Sequence, residues 1–241
     1  MKNFINISEI PKNELRKILD SAKLRKEKRK NLEKNALDPD VPLEGKILAM
    51  IFEKPSTRTR ISFDIAVKQL GGKSLTLNPD EIHYGSGGES LHDTAKVLSQ
   101  YADIVMIRTY EHKKVEQFSK YLNIPIINGL TDLSHPCQIM SDIMTFEEMK
   151  GSINNKKIAW IGDGNNVLYS LIEAAVQFDF HLSFACPKGF GPNKKILKWA
   201  KEQKGKISFF TDSKITVNSA DLIMTDKWIS MGSKTDKKNK K

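Results

Sequence analysis

Strand-like and helix-like stretches alternate along the 241-residue chain, and that alternation predicts an α/β fold of two domains, each a parallel β-sheet flanked by helices. Two further observations sharpen the expectation. Apolar runs such as Ile47–Phe52 and Lys157–Ile161 are each followed by a polar turn and a helical pattern, the order a parallel sheet with crossover helices requires. The polar stretch Ser152–Lys156 interrupts this pattern near the middle, which predicts domains of residues 1–148 and 149–241.

Residues Pro11–Lys34 read as a charged helix with Leu15, Ile18, Leu19 and Ala22 on its apolar side, ended by Asp38-Pro39-Asp40-Val41-Pro42. Ile47–Phe52 is a buried strand. After it, Glu53-Lys54-Pro55-Ser56-Thr57-Arg58-Thr59-Arg60 opens a helix carrying Ile61, Phe63, Ile65, Val67 and Leu70, which stops at Gly71-Gly72. Free backbone N–H groups at a helix start favour an anion. Ser56, Thr57 and Thr59 add hydroxyl donors, and Arg58 and Arg60 add planar forks suited to phosphate or carboxylate oxygens. Against this stands an ordinary serine cap with two solvated arginines. Arginines spaced by one residue share a helical face poorly, so at least one is expected to turn inward. A Walker loop is absent.

Lys73–Leu77 is a second strand. The polar, glycine-rich loop Asn78–Glu89 contains His83, either a titratable candidate or a solvent-exposed loop histidine. Ser90 caps a helix to Tyr101. Asp103–Ile107 is a strand ending in Arg108-Thr109, where ligands of open α/β sheets gather. A helix Glu111–Tyr121 and a strand Ile124–Ile127 follow, then Asn128-Gly129. His135-Pro136-Cys137-Gln138 opens a helix to about Lys150, placing two polar side chains at another helix N-terminus; Cys137 reads as a packed side chain rather than a nucleophile.

In the second half, strands are expected at Lys157–Ile161, His181–Cys186, Ile207–Phe210 and Asp221–Met224, with a helix at Asn193–Gln203. Gly162-Asp163-Gly164-Asn165-Asn166-Val167 partly matches a dinucleotide fingerprint, but Val167 stands where glycine is expected, which favours an ordinary turn from strand to helix.

The net charge of +10 is concentrated. Lys12–Lys34 holds 10 Lys/Arg against 4 Asp/Glu, and Lys234–Lys241 holds 5 Lys against 1 Asp. No aromatic residue interleaves either run, so both read as solvated surface and no nucleic-acid partner is expected. No apolar run is long enough to span a membrane and no membrane partner is expected. The N-terminus lacks the apolar core of a signal peptide, and the two cysteines suggest neither a metal site nor a disulfide framework; a cytoplasmic setting follows.

Several of these segments resemble one family. Ser56-Thr57-Arg58-Thr59-Arg60 with Ser62-Phe63-Asp64, Arg108, and His135-Pro136-Cys137-Gln138 are similar to the carbamoyl phosphate site of the aspartate/ornithine carbamoyltransferases. Asp163-Gly164-Asn165-Asn166 and Asp226-Lys227-Trp228-Ile229-Ser230-Met231-Gly232 resemble the amino-acid site of the ornithine branch. The resemblance implies transfer of the carbamoyl group of carbamoyl phosphate to the side-chain amine of L-ornithine, giving L-citrulline and phosphate, in arginine biosynthesis or a urea-cycle-type step. By resemblance, Ser56, Thr57, Arg58, Thr59, Arg60 and Arg108 bind the phosphate, while Arg108, His135 and Gln138 polarise the carbamoyl carbonyl. Asn166, Asp226, Ser230 and Met231 seat ornithine. His83 joins the carbamoyl phosphate set, in a loop that in this family reaches a neighbouring subunit's site. A homotrimer is implied, with carbamoyl phosphate and ornithine as partners and neither cofactor nor metal.

The family continues past Met231-Gly232 with a His-Cys-Leu-Pro segment and a final helix, and this sequence contains neither. By that comparison the second domain is expected to be truncated, with a disordered lysine-rich tail at 233–241 and weak or absent turnover. Three other readings follow: a phosphate-binding or subunit-interaction remnant, a carbamoyltransferase for putrescine or an acylated ornithine, and a nucleotide-dependent oxidoreductase built on Gly162–Val167.

Overall fold

A computed structural model describes residues 3–78 and 88–226 of the chain. The chain divides into two compact units, Met1–Ile5 with Arg16–Thr131, and Asn6–Leu15 with Asp132–Lys241.

The first unit holds strands β1 (Ile47–Phe52), β2 (Lys73–Leu77), β3 (Ile104–Arg108) and β4 (Ile126–Leu130) in the spatial order β2-β1-β3-β4, all parallel. Alternate residues of β1 serve opposite faces, as the two-residue period demands. Leu48, Met50 and Phe52 pack with Met106, Phe63 and Val67, the last two from α2 (Thr57–Gln69). Ala49 and Ile51 pack on the other face with Val105, Ile107 and the apolar sides of α3 (Leu91–Tyr101) and α4 (His112–Tyr121), namely Ala95, Leu98, Val115 and Phe118. Both faces of the sheet are thus covered, which is why its strands read as continuous apolar runs.

The second unit repeats the plan. Its strands β5 (Lys157–Ile161), β6 (His181–Ala185), β7 (Ile207–Phe210) and β8 (Leu222–Met224) lie in the order β7-β6-β5-β8, again all parallel. With them go α5 (Pro136–Lys150), α6 (Asn166–Phe178), α7 (Lys194–Glu202) and α8 (Ser213–Val217). Trp160, Phe180 and Phe184 are among its fully buried side chains. α6 also grips a 3₁₀ turn at Ile7–Glu9. Glu173 Oε2 accepts from Ile7 N at 3.0 Å and Ser8 N at 3.3 Å, and Glu173 Oε1 accepts from Ser8 Oγ at 2.9 Å. Gln177 Nε2 donates to the carbonyls of Ile7, Ser8 and Ile10.

Four sequence expectations need correction. Helix α1 covers Lys12–Lys28 and stops short of Lys34, because Arg29 turns back to bond the Asp38 carboxylate and, at 3.0 Å, the Ala36 carbonyl. On its expected apolar side Leu15 and Leu19 are buried, but Ile18 is 47% exposed. On α2, Ile61 and Ile65 are 58% and 42% exposed, so the core contact rests on Phe63 and Val67. Strand β4 begins at Ile126 and includes Asn128-Gly129, which the sequence placed beyond the strand. The turn residues survive inside a strand because the register shifts there. Ile107 pairs with Asn128 and Arg108 with Leu130, leaving Gly129 as the extra residue of a β-bulge.

Candidate functional site

Each sheet reverses its winding direction once, and Ser56–Thr59, Arg108, Asn166 and Asp226 lie at those reversals. In the first sheet β1 is flanked by β2 and β3, so crossovers leave it in opposite directions and open a crevice at the carboxyl ends of β1 and β3. Lys54 to Thr59 leave the end of β1, and Arg108 ends β3. In the second sheet the reversal lies between β5 and β8, at Gly162–Asn166 and Thr225-Asp226.

At the first crevice Ser56 caps α2, its Oγ accepting from Thr59 N at 3.2 Å. That bond satisfies one of the helix's orphan donors and sets the turn from which Thr57 and Arg58 project. Arg108 is buried and donates through Nη1 to Thr59 Oγ1 at 3.3 Å. Its Nε is buried without a hydrogen-bond partner among the described residues. Burial first, and then the nearby charge of Arg58, pull Arg108 below the ordinary arginine value. Neither arginine has an ion pair among the described residues. Two guanidinium groups close enough to disfavour one another, beside a helix N-terminus, form a site that an anion stabilises. The bulge at Gly129 shifts the register of β4 just where Arg108 pairs with Leu130.

Arg60 points elsewhere. Its Nη2 donates to Asn78 Oδ1 at 3.0 Å, and its guanidinium lies 5.4 Å from the centroid of the Phe52 ring. Arg58 is exposed as well, so neither arginine of the pair is buried, against the expectation that one would turn inward. Lys54, to which sequence reasoning gave no role, is buried with its Nζ 4.1 Å from the Tyr110 ring centroid. The available signal was a lysine between a buried strand and a serine cap. Glu53 accepts from Thr109 Oγ1 and pairs with Lys114, and its N–H donates to the Arg108 carbonyl at 2.9 Å, which ties the ends of β1 and β3 together.

In the second unit His135 is the N-cap residue of α5, yet its side chain makes no cap bond. Its backbone N–H donates instead to Ser170 Oγ of α6 at 2.9 Å, and Ser134 Oγ lies 3.2 Å from the same oxygen. Gln138, exposed in the first turn of α5, donates through Nε2 to Asp142 Oδ1 at 2.8 Å. Burial raises the Asp142 carboxyl above the ordinary value, opposed by the Gln138 bond. Cys137 is held protonated, burial pushing its thiol up to about 12, which suits a packed side chain.

Asn165, rather than Asn166, caps α6: its Oδ1 accepts from Val167 N at 3.0 Å and Leu168 N at 3.1 Å. The Asn165 amide also donates through Nδ2 to Asp226 Oδ2 at 2.7 Å, joining the carboxyl ends of β5 and β8. Asn166 is the first helical residue beside it. A Cβ on Gly164 would lie 2.3 Å from Pro192 N, so only glycine fits that close passage of backbone on backbone. Asp163 stands beside Cys186, whose thiol is pushed up to about 12 by burial and then by that carboxylate. His83, Ser230 and Met231 lie outside the described residues. Among the described residues no group of three or more His, Cys, Asp or Glu side chains is placed to hold a metal ion, and no helix is long and apolar enough to cross a membrane.

Comparison with known proteins identifies the family. Residues 2–148 match the family model of the aspartate/ornithine carbamoyltransferase carbamoyl-P binding domain, and residues 154–241 match that of the Asp/Orn binding domain. A relative from Brucella ovis named ornithine carbamoyltransferase is 49% identical over 232 residues, covering 96% of this chain and 72% of the relative. A similar protein from Agrobacterium fabrum is 47% identical over 230 residues, 95% of this chain and 73% of its own length. The solved ornithine carbamoyltransferase of Pyrococcus furiosus superposes with a TM-score of 0.88 at 43% identity, over 96% of this chain and 73% of that one. The anabolic enzyme of Campylobacter jejuni gives 0.89 at 34% identity, over 100% and 77%. With both domain models matched in order and the fold shared, the chain belongs to the aspartate/ornithine carbamoyltransferase family.

Proposed function

We propose that this protein transfers the carbamoyl group of carbamoyl phosphate to the side-chain amine of L-ornithine, releasing L-citrulline and phosphate. The observation that carries the reading is the pair Arg58 and Arg108 at the N-terminus of α2, two cations with no counter-carboxylate among the described residues. A phosphoryl dianion fits there, held by guanidinium forks, the Ser56, Thr57 and Thr59 segment and free helix N–H groups. Arg108, His83, His135 and Gln138 complete the proposed carbamoyl phosphate set, which Arg60 would join by exchanging its bond to Asn78 for one to the phosphate. The choice of ornithine rests on Asp226-Lys227-Trp228-Ile229-Ser230-Met231-Gly232 and on the named relatives. Asp226 supplies the carboxylate that a cationic amino acid needs, with Asn166, Ser230 and Met231 beside it in sequence or motif.

The chemistry needs no covalent enzyme intermediate. Ornithine's side-chain amine resembles lysine's, with a pKa of about 10.4 in water, so it loses its proton before attack. A C–N bond then forms at the carbamoyl carbon and charge builds on the carbonyl oxygen, where Arg108 and His135 are the proposed donors. The C–O bond to phosphate then breaks as the attacking nitrogen gives its second proton to the departing phosphate oxygen, and the resulting hydrogen phosphate dianion stays on Arg58 and the α2 N-terminus. Most of the acceleration comes from positioning and preorganised charge.

A homotrimer working in the cytoplasm, in arginine biosynthesis, completes the proposal. Ile61 and Ile65 lie one turn apart on α2 and Leu75 lies on the edge strand β2, all three solvent-exposed, which suits a self-association surface. Titration calorimetry with carbamoyl phosphate tests the anion site. Binding by the parent protein, weakened about 10- to 100-fold in Arg58→Gln and Arg108→Gln, is expected from the loss of a charge-assisted hydrogen bond. Equal affinity in all three proteins would overturn the assignment.

A further inference from the structure

We infer that Glu53 is a positioning residue for Arg108: its carboxylate and its backbone N–H hold the chain at Arg108 and Thr109 from the reverse face of the first sheet, and so aim the guanidinium into the anion crevice.

Along β3 alternate residues serve opposite faces. Arg108 pairs with Phe52 and shares the face of Met50 and Met106, which pack with Phe63 and Val67 of α2. Its bond to Thr59 of α2 lies on that side. Thr109 turns the other way, to the face that Ile51 and Ile107 share with Val115 and Phe118 of α4. There Thr109 Oγ1 donates to Glu53 Oε2, and Glu53 Oε1 pairs with Lys114 Nζ of α4. The Glu53 side chain is 14% exposed, and a carboxylate so far withdrawn from water is costly unless its bonds are kept. The Glu53 backbone adds a third tie, its N–H donating to the Arg108 carbonyl at 2.9 Å. Thr109 N donates in turn to the Leu130 carbonyl at 3.0 Å, so the end of β3 is held from both neighbouring strands. Arg108 depends on this hold. Among the described residues its guanidinium makes one hydrogen bond, at 3.3 Å, and its buried Nε makes none. A side chain so lightly held takes its aim from the backbone it leaves. Fixing that backbone in advance spares part of the ordering cost of binding an anion.

A second carboxylate provides the comparison. At the opposite ends of the same two strands, Asp103 Oδ2 accepts from Ile47 N at 2.9 Å and Asp103 Oδ1 pairs with Lys46 Nζ at 2.9 Å. It ties β1 to β3 as Glu53 does, but away from the crevice.

The inference rests on the carbamoyl phosphate site proposed at Arg108, and the test separates the two. Glu53→Ala, Glu53→Gln, Thr109→Val and Asp103→Ala are compared with the parent protein. Calorimetry with carbamoyl phosphate gives affinity and urea denaturation gives stability. The Arg108 Nε–Hε NMR signal, assigned by its loss in Arg108→Lys, follows the side chain itself. Glu53→Ala and Thr109→Val should shift or broaden that signal and bind carbamoyl phosphate about 10-fold more weakly. Glu53→Gln, whose amide oxygen can still accept from Thr109, should recover most of the affinity. Asp103→Ala should lose stability and keep the parent affinity and Arg108 signal. An unchanged Arg108 signal in folded Thr109→Val, or equal losses of affinity in Glu53→Ala and Asp103→Ala, would overturn the inference. A parent protein that binds no carbamoyl phosphate would count against the proposed site, while the Arg108 signal still decides the role of Glu53.

Discussion

Arg108 shows how much of the candidate site a single residue carries. It ends a buried strand, bonds Thr59, repels Arg58 and keeps a buried Nε without a described partner. Its alanine variant should lose carbamoyl phosphate binding and remain folded, because the charge it removes is not neutralised within the described protein; circular dichroism beside calorimetry checks this. Glu173 makes the opposite kind of prediction. Burial raises its carboxyl from 4.5 to about 7, opposed by its bonds to Ser8 and Ile7. The folded state therefore keeps a proton that the unfolded state has lost. The stabilisation is complete below pH 4.5 and disappears as pH rises through 7, an amount on the order of 3 kcal/mol. Urea titrations from pH 4.5 to 8 should show that decline, and Glu173→Gln should flatten it. Gly164→Ala forces a Cβ against Pro192 backbone and should cost at least about 1–3 kcal/mol by the same measurement. Sequence alone exposed Arg58 and Arg108 because a strand end and a helix start are readable from pattern. It did not expose Ser170 or the burial of Lys54, since a hydroxyl or an ammonium looks the same in sequence whether it meets water or a core.

The elements themselves were largely legible. Apolar runs bounded by turns located the eight strands of the described residues, and Ser90 caps its helix as expected; Ser56 also caps its helix, the plainer of the two readings that its sequence allowed. The misses share one cause, a local signal outweighed by a distant partner. Asn128-Gly129 reads as a turn but lies in β4, where Asn128 Nδ2 donates to the Ile5 carbonyl at 3.0 Å and Gly129 forms the bulge. The charged run after Lys28 reads as more helix, but Arg29 and Arg25 turn to Asp38. Burial alone would raise the Asp38 carboxyl, yet those two arginines outweigh it and hold it below the ordinary range. Part of the basic N-terminal surface is therefore a structural clamp. Asp38→Ala leaves two arginines facing an emptied, buried position and should cost about 3 kcal/mol, measured by urea denaturation. Because a depressed carboxylate stabilises only while ionised, that contribution should fade as pH falls below the ordinary carboxylate range.

At the scale of the whole molecule, two parallel sheets of different strand order each present a crevice where the order reverses, with Arg58 and Arg108 at the first and Asn166 and Asp226 at the second. The residues at 79–87 and 227–241, including His83, Ser230 and Met231, stand on the family resemblance. The proposed self-association would use the exposed apolar positions of α2 and β2. Light scattering of the parent protein should report a trimer, and Ile61→Asp with Ile65→Asp should give monomer if this face joins the subunits. The most direct measurement is product formation: the purified 241-residue chain incubated with carbamoyl phosphate and ornithine, aspartate or putrescine, the products resolved by mass. The account predicts citrulline from ornithine and no carbamoylated product from the other two acceptors. A carbamoylated product from aspartate or putrescine, with none from ornithine, would contradict it.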